Sequence, residues 1–234
     1  MIKHVIHVAG IIDQAEAEML VECGVLFLGF PFRLAKHKED LPEKEAGRII
    51  RSLSPDVTCL LITYLSDPRQ IVELCREIGV SYVQLHGDIG IDELASLKSV
   101  WAELRIVKSL IVGDANLAEL EQEIDKTAPY VDGYITDTYD RSTGAMGATG
   151  KTHDWLIDRR LVEISPRPVI IAGGLNPDNV REAIRQVHPA GVDVHTGIEG
   201  PDGRKDRELA RRFVAEAKRG FAGIEAGKVK SYPH

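Results

Sequence analysis

The chain has 234 residues, 44% of them hydrophobic, with 29 Lys and Arg against 36 Asp and Glu. Its length is close to the roughly 250 residues typical of one (β/α)8 domain, although length alone would also accommodate two smaller ones. The formal net charge of −7 argues against nucleic acid or an anionic membrane surface as partner, and no run approaches the roughly 18 apolar residues of a membrane span.

Short β-branched runs alternate with amphipathic segments along the whole sequence. Strands are predicted at Lys3–Val8, Val25–Phe30, Thr58–Thr63, Tyr82–Leu85, Arg105–Leu110, Gly133–Thr136, Val169–Ala172 and Val192–His195. Between them, helices are predicted at Asp13–Cys23, Glu43–Ser52, Asp67–Ile78, Ile91–Ser99, Asn116–Thr127, Trp155–Glu163, Asn179–Val187 and Asp206–Arg219. Asp13, Pro42, Asp67-Pro68 and Asn176-Pro177 supply caps or first-turn prolines. Strict strand–helix alternation implies a parallel sheet with right-handed crossovers. A count of eight points to a closed single-domain (β/α)8 barrel over residues 1–222, with residues 223–234 as a flexible tail. An open dinucleotide-binding sheet would want Gly-x-Gly-x-x-Gly after the first strand, and Val8-Ala9-Gly10-Ile11-Ile12 does not fit it.

The two longest irregular stretches, Pro31–Leu41 and Thr138–Asp154, follow the second and sixth strands. Both fall at the C-terminal strand ends, where such barrels do their chemistry. Cys23, Cys59 and Cys75 form neither a metal motif nor a disulfide framework, and a reducing, cytoplasmic setting follows. No cluster has metal-ligand spacing; neither a metal nor a cofactor is expected.

Pro168-Val-Ile-Ile-Ala-Gly173-Gly174-Leu-Asn176-Pro177 runs a buried strand into two glycines and a helix start. Gly191-Val-Asp193-Val-His195-Thr196-Gly197 repeats strand-then-glycine about twenty residues on. Glycines there let backbone N–H groups close on an anion, as the last two loops of a phosphate-binding barrel require. Gly173, Gly174, Gly197 and the Thr196 hydroxyl are the expected phosphate grip.

At this point the residues resemble a family. Val83-Gln84-Leu85-His86-Gly87-Asp88, Gly147-Ala-Thr-Gly-Lys151-Thr-His-Asp154-Trp155, Ala172-Gly173-Gly174-Leu175-Asn176-Pro177, Gly191-Val-Asp-Val194, Gly197-Ile-Glu199 and Lys205-Asp206 are similar, in order and spacing, to phosphoribosylanthranilate isomerase of tryptophan biosynthesis. The resemblance implies an aldose-ketose isomerase that performs an Amadori rearrangement on a phosphorylated amino-aldose. It also implies a barrel that is monomeric or homodimeric. A general acid must protonate the ring oxygen and a base must remove the C2 proton. The family's acid matches Asp137. Its base is a cysteine ending the first strand, and here that position is Ala9, which cannot accept a proton.

Two histidines stand nearby. Strand parity puts Asp193, His195 and Gly197 on one face, and closure of the barrel sets His195 beside Ala9, with His7 one layer deeper. Imidazole titrates near neutrality and suits acid–base work, so His195 and His7 are candidate replacements for the thiol. Both could equally be core histidines bonded to Asp193 or Gln84. After the second strand the family's substrate-contacting arginine aligns nearest Lys38, with Arg33 as an alternative. Gln84 and His86 share a face pointing to the mouth, and Lys151 is a candidate contact in the glycine-rich sixth loop. Two other functions stay open. One is another phosphosugar enzyme (aldolase, epimerase or lyase), for which Lys108 is a candidate unless it pairs with Asp137. The other is a non-catalytic phosphometabolite-binding protein.

Overall fold

The computed structural model describes residues 2–34, 41–113, 117–140, 145–146 and 154–230. Its strands are β1 (Val5–Ala9), β2 (Phe27–Phe32), β3 (Thr58–Thr63), β4 (Tyr82–Leu85), β5 (Arg105–Val112), β6 (Gly133–Asp140), β7 (Ala145–Met146), β8 (Val169–Ile171) and β9 (Gly191–Val194). Its helices are α1 (Gln14–Glu22), α2 (Glu43–Ser52), α3 (Pro68–Ile78), α4 (Ile91–Val100), α5 (Leu117–Thr127), α6 (Trp155–Ile164), α7 (Val180–Val187) and α8 (Arg207–Lys230), with a short 3-10 turn at Thr196–Ile198. Strands neighbour one another in the order β5-β4-β3-β2-β1-β9-β8-β6, and β6 pairs back onto β5, so the parallel sheet closes on itself. Among the described strands only β7 stands outside the ring, antiparallel to the end of β6 through Tyr139↔Met146.

Local chemistry sets the element starts. Asp13 accepts from Glu16 N at 2.8 Å and Asp67 from Arg69 N at 2.8 Å, each satisfying an N–H that a helix start leaves unpaired. Pro68 follows the second cap, where its missing N–H costs nothing. Gly79 ends α3 in the left-handed region at φ +85°.

Because side chains alternate along each strand, the ring separates two apolar layers. Val5, Val107, Ile135, Ile170 and Ala172 fill the inside of the barrel. Residues such as Val8, Leu28, Leu61, Val83 and Val192 face the helices in a larger outer core. The three cysteines are buried thiols. No described helix is long and apolar enough to cross a membrane.

Two boundaries differ from the sequence reading. β6 runs on to Asp140, past the expected end at Thr136, because its extension is paired by β7. The last helix continues beyond the expected tail boundary at 222, to Lys230. Ile224 packs on the outer core, and Glu225 Oε1 lies 2.9 Å from Lys3 Nζ.

Candidate active site

The C-terminal rim of the barrel carries two polar centres. The first joins β3, β4 and β6. His86 follows β4 directly, and its backbone N–H donates to Thr63 O at 2.9 Å. Asp137 lies on the interior face of β6, in register with Ile111. His86 Nε2 stands 3.2 Å from Asp137 Oδ2, and Asp137 Oδ1 accepts from Thr138 N at 2.8 Å. Burial works against the imidazolium, but the hydrogen bond and charge of Asp137 outweigh it and hold the His86 pKa above its ordinary value. Tyr64 stacks on the imidazole with ring centroids 4.7 Å apart. Burial and then the Asp137 charge push its phenol upward. The backbones must come close here: a Cβ on Gly87 would lie 2.9 Å from Tyr64 O. This centre can hold a proton beside a carboxylate and deliver it into the mouth.

The second centre sits on the β1–β9 seam. The register His7↔Asp193, Val8↔Val194 brings Ala9 and His195 together at the next step. Gly10 has φ +79°, and a Cβ there would lie 2.3 Å from His195 Nε2, so the imidazole lies directly on a glycine that only glycine chemistry permits. His195 Nε2 is 3.5 Å from Glu199 Oε1. That same oxygen lies 2.6 Å from Nζ of Lys205, whose side chain is 2% exposed. The Lys205 backbone N–H donates to Glu16 Oε2 at 3.0 Å.

His7 behaves differently from His195. It is buried a layer below Ala9, with Nδ1 2.8 Å from Asp193 Oδ1. Its Nε2 has no hydrogen-bond partner among the described residues and lies against Gly29, where a Cβ would come within 2.6 Å of it. The approach to Asp193 matches the core alternative raised from the sequence in position, although Asp193 Oδ1 too has no hydrogen-bond partner among the described residues. It leaves His7 inside the barrel rather than at the mouth.

Between β8 and α7, Gly173 and Gly174 adopt φ +93° and +61°. Asn179 locks the turn, donating from Nδ2 to Gly174 O at 2.9 Å and accepting from Asn176 N at 2.8 Å. Gly197, in the turn after β9, presses on this loop: a Cβ would fall 1.9 Å from Leu175 O. The two glycine turns therefore meet at one end of the barrel, with exposed Thr196 beside them, and their N–H groups can converge on an anion.

The remaining candidates separate. Gln84 does not reach the mouth; it is buried deeper in the barrel, donating to Ser109 Oγ at 3.1 Å, because it sits two residues before His86 on the same face. Lys108 points outward, not toward Asp137: it faces α5 and pairs with Glu123 at 2.9 Å. Arg33, at φ +54°, donates from Nε to Glu43 Oε1 at 2.9 Å and from Nη2 to Oε2 at 3.4 Å. Lys38 and Lys151 lie outside the described residues. Sequence reasoning passed over Tyr64, Glu199 and Lys205 as site residues. Glu199 and Lys205 stood only within the Gly197-Ile-Glu199 and Lys205-Asp206 motifs, with no role given to either.

The family described as N-(5'-phosphoribosyl)anthranilate (PRA) isomerase matches residues 29–216. The chain is 36% identical over 217 residues to N-(5'-phosphoribosyl)anthranilate isomerase 2 of Methanosarcina mazei, covering 92% of this chain and 95% of that one. Among solved structures, phosphoribosyl anthranilate isomerase from Thermotoga maritima superposes with TM-score 0.77 at 28% identity, covering 92% of this chain and 98% of that one. A phosphoribosyl anthranilate isomerase in complex with reduced 1-(o-carboxyphenylamino)-1-deoxyribulose 5-phosphate gives TM-score 0.75 at 27% identity, with the same coverage.

Proposed function

The chain belongs to the N-(5'-phosphoribosyl)anthranilate isomerase family, and from that premise we propose that it performs an Amadori rearrangement on a phosphorylated amino-aldose, with phosphoribosylanthranilate the first substrate to test. The phosphate sits on the N–H groups of Gly173, Gly174 and Gly197, with the Thr196 hydroxyl beside them. Asp137 in its pair with His86 gives a proton to the ring oxygen; the C1–O bond breaks and an open-chain iminium forms. His195 then takes the C2 proton, and the electron pair left behind neutralises the iminium to an enolamine. A proton delivered to C1, with loss of the C2 hydroxyl proton as the C2=O bond forms, yields the amino-ketose, so atoms and charge balance. The reaction is that of an aldose-ketose isomerase, an intramolecular oxidoreductase, working in the cytoplasm.

The observation that carries this reading is His195 lying against Gly10, one residue past Ala9, where the family keeps its thiol. A thiolate is the stronger base, but at neutral pH a larger fraction of an imidazole than of an unperturbed thiol is in the proton-accepting form. The test is conversion of phosphoribosylanthranilate to the ketose by wild type, Asp137→Asn and His195→Gln. Wild type should turn over, and each variant should lose about 10²- to 10⁴-fold in kcat. A wild type that binds the compound without converting it overturns the activity. A His195→Gln variant at full rate removes His195 as the base and leaves the family reaction standing.

A further inference from the structure

Glu199 and Lys205 flank the 3-10 turn that follows β9, and a bridge Glu199↔Lys205 holds the two backbones together. One carboxylate oxygen, Glu199 Oε1, faces two cations or potential cations: Lys205 Nζ at 2.6 Å and His195 Nε2 at 3.5 Å. Lys205 is almost wholly buried, so its charge needs that carboxylate. The carboxylate is therefore fixed, and the imidazole presents the same atom, Nε2, to it and to Gly10.

We propose that Glu199, clamped by Lys205, is the positioning residue for His195: its fixed charge draws the imidazole Nε2 toward the Gly10 side of the seam and holds the ring there. This rests on the reading of His195 as the base. Other charged groups belong to the neighbouring segments. Glu16 comes from α1, Asp13 in its pair with Arg204 from the α1 cap, and Asp193 from β9 itself.

The arrangement makes opposite demands of two variants. Glu199→Gln keeps an acceptor for Lys205 but removes the negative charge beside His195. The imidazolium loses its counter-charge, and the acid limb of the kcat/KM profile moves to lower pH. Lys205→Met leaves the Glu199 charge uncompensated, and the same limb moves to higher pH. Each shift should be about one unit. Glu199→Asp keeps the charge but shortens the reach, and should lower kcat up to about 100-fold with little change in KM.

The experiment measures these profiles on the full chain, together with NMR titration of 15N-labelled histidine, the His195 signal being the one lost in His195→Gln. Shifts of opposite sign in the two variants support the proposal; a contribution to folding alone moves no titration. A His195 signal that titrates identically in wild type and both variants overturns it, and should one variant fail to fold, the sign of the other decides. If the signal moves as stated while His195→Gln turns over at full rate, Glu199 still positions His195 and only the base reading falls.

Discussion

His7 and Asp193 face each other across the β1–β9 seam, Nδ1 2.8 Å from Oδ1, with the imidazole 2% exposed. Two residues further along both strands, Ala9 and His195 open onto the rim. The two histidines thus occupy successive layers of one seam, and depth divides their work. The lower imidazole neighbours a carboxylate inside the barrel; the upper one meets solvent over a glycine.

Removing the lower partner should therefore be a stability lesion. His7→Leu leaves the Asp193 carboxylate in the barrel without its neighbour and should cost about 2–4 kcal/mol. The double variant His7→Leu/Asp193→Leu should recover part of that loss, because no charge is stranded. Urea unfolding of the two single variants and the double measures the coupling. Strictly additive losses would mean that the two side chains do not act as a pair.

The pair at the other side of the mouth predicts a pH dependence with a definite sign. His86 has its pKa raised in the folded chain: burial opposes the imidazolium, and Asp137 more than restores it. A raised folded-state pKa stabilises the fold fully below the unfolded value of about 6.5, and the contribution disappears as pH rises through the higher folded value. Thermal unfolding of wild type should show a decline in Tm across that window. In His86→Gln the decline should flatten, with Tm at alkaline pH little changed. A wild-type Tm that climbs with pH over the same window would contradict the pairing.

Much of this was legible in the residues. Strand–helix alternation gave the barrel, because a parallel strand buried on both faces leaves an apolar run that turn residues bracket. The resemblance gave Asp137, and parity gave the neighbourhood of Ala9 and His195. Depth was not legible. Gln84 and His86 share a face, and only the tilt and stagger of the ring decide that one is buried against Ser109 while the other reaches Asp137. Nor could parity reveal which acid Lys108 meets, since Glu123 comes from a helix whose rotation is set by packing. Glu199 and Lys205 meet only because a 3-10 turn folds the chain back on itself.

The contact between the two glycine turns gives the sharpest substitution. A Cβ on Gly197 would enter the backbone of the neighbouring loop, 1.9 Å from Leu175 O and 2.9 Å from its carbonyl carbon. No rotamer relieves a clash with backbone, so Gly197→Ala must part the β8–α7 turn from the turn after β9. Both turns supply N–H groups to the same anion in the proposed grip, and parting them by even an ångström breaks the convergence. The effect should fall on binding: KM for the phosphorylated substrate and the Kd for inorganic phosphate should each rise at least about tenfold. Stability should drop by about 1–3 kcal/mol from the forced shift. Gly203 supplies the comparison. It has a left-handed φ, +77°, which Gly197 does not, yet nothing lies within 4 Å of its Cβ position. Gly203→Ala should cost only the conformational strain, about 1 kcal/mol, and leave phosphate affinity alone. Calorimetric titration of phosphate into both variants separates the cases; equal affinities would mean that the two turns do not share an anion.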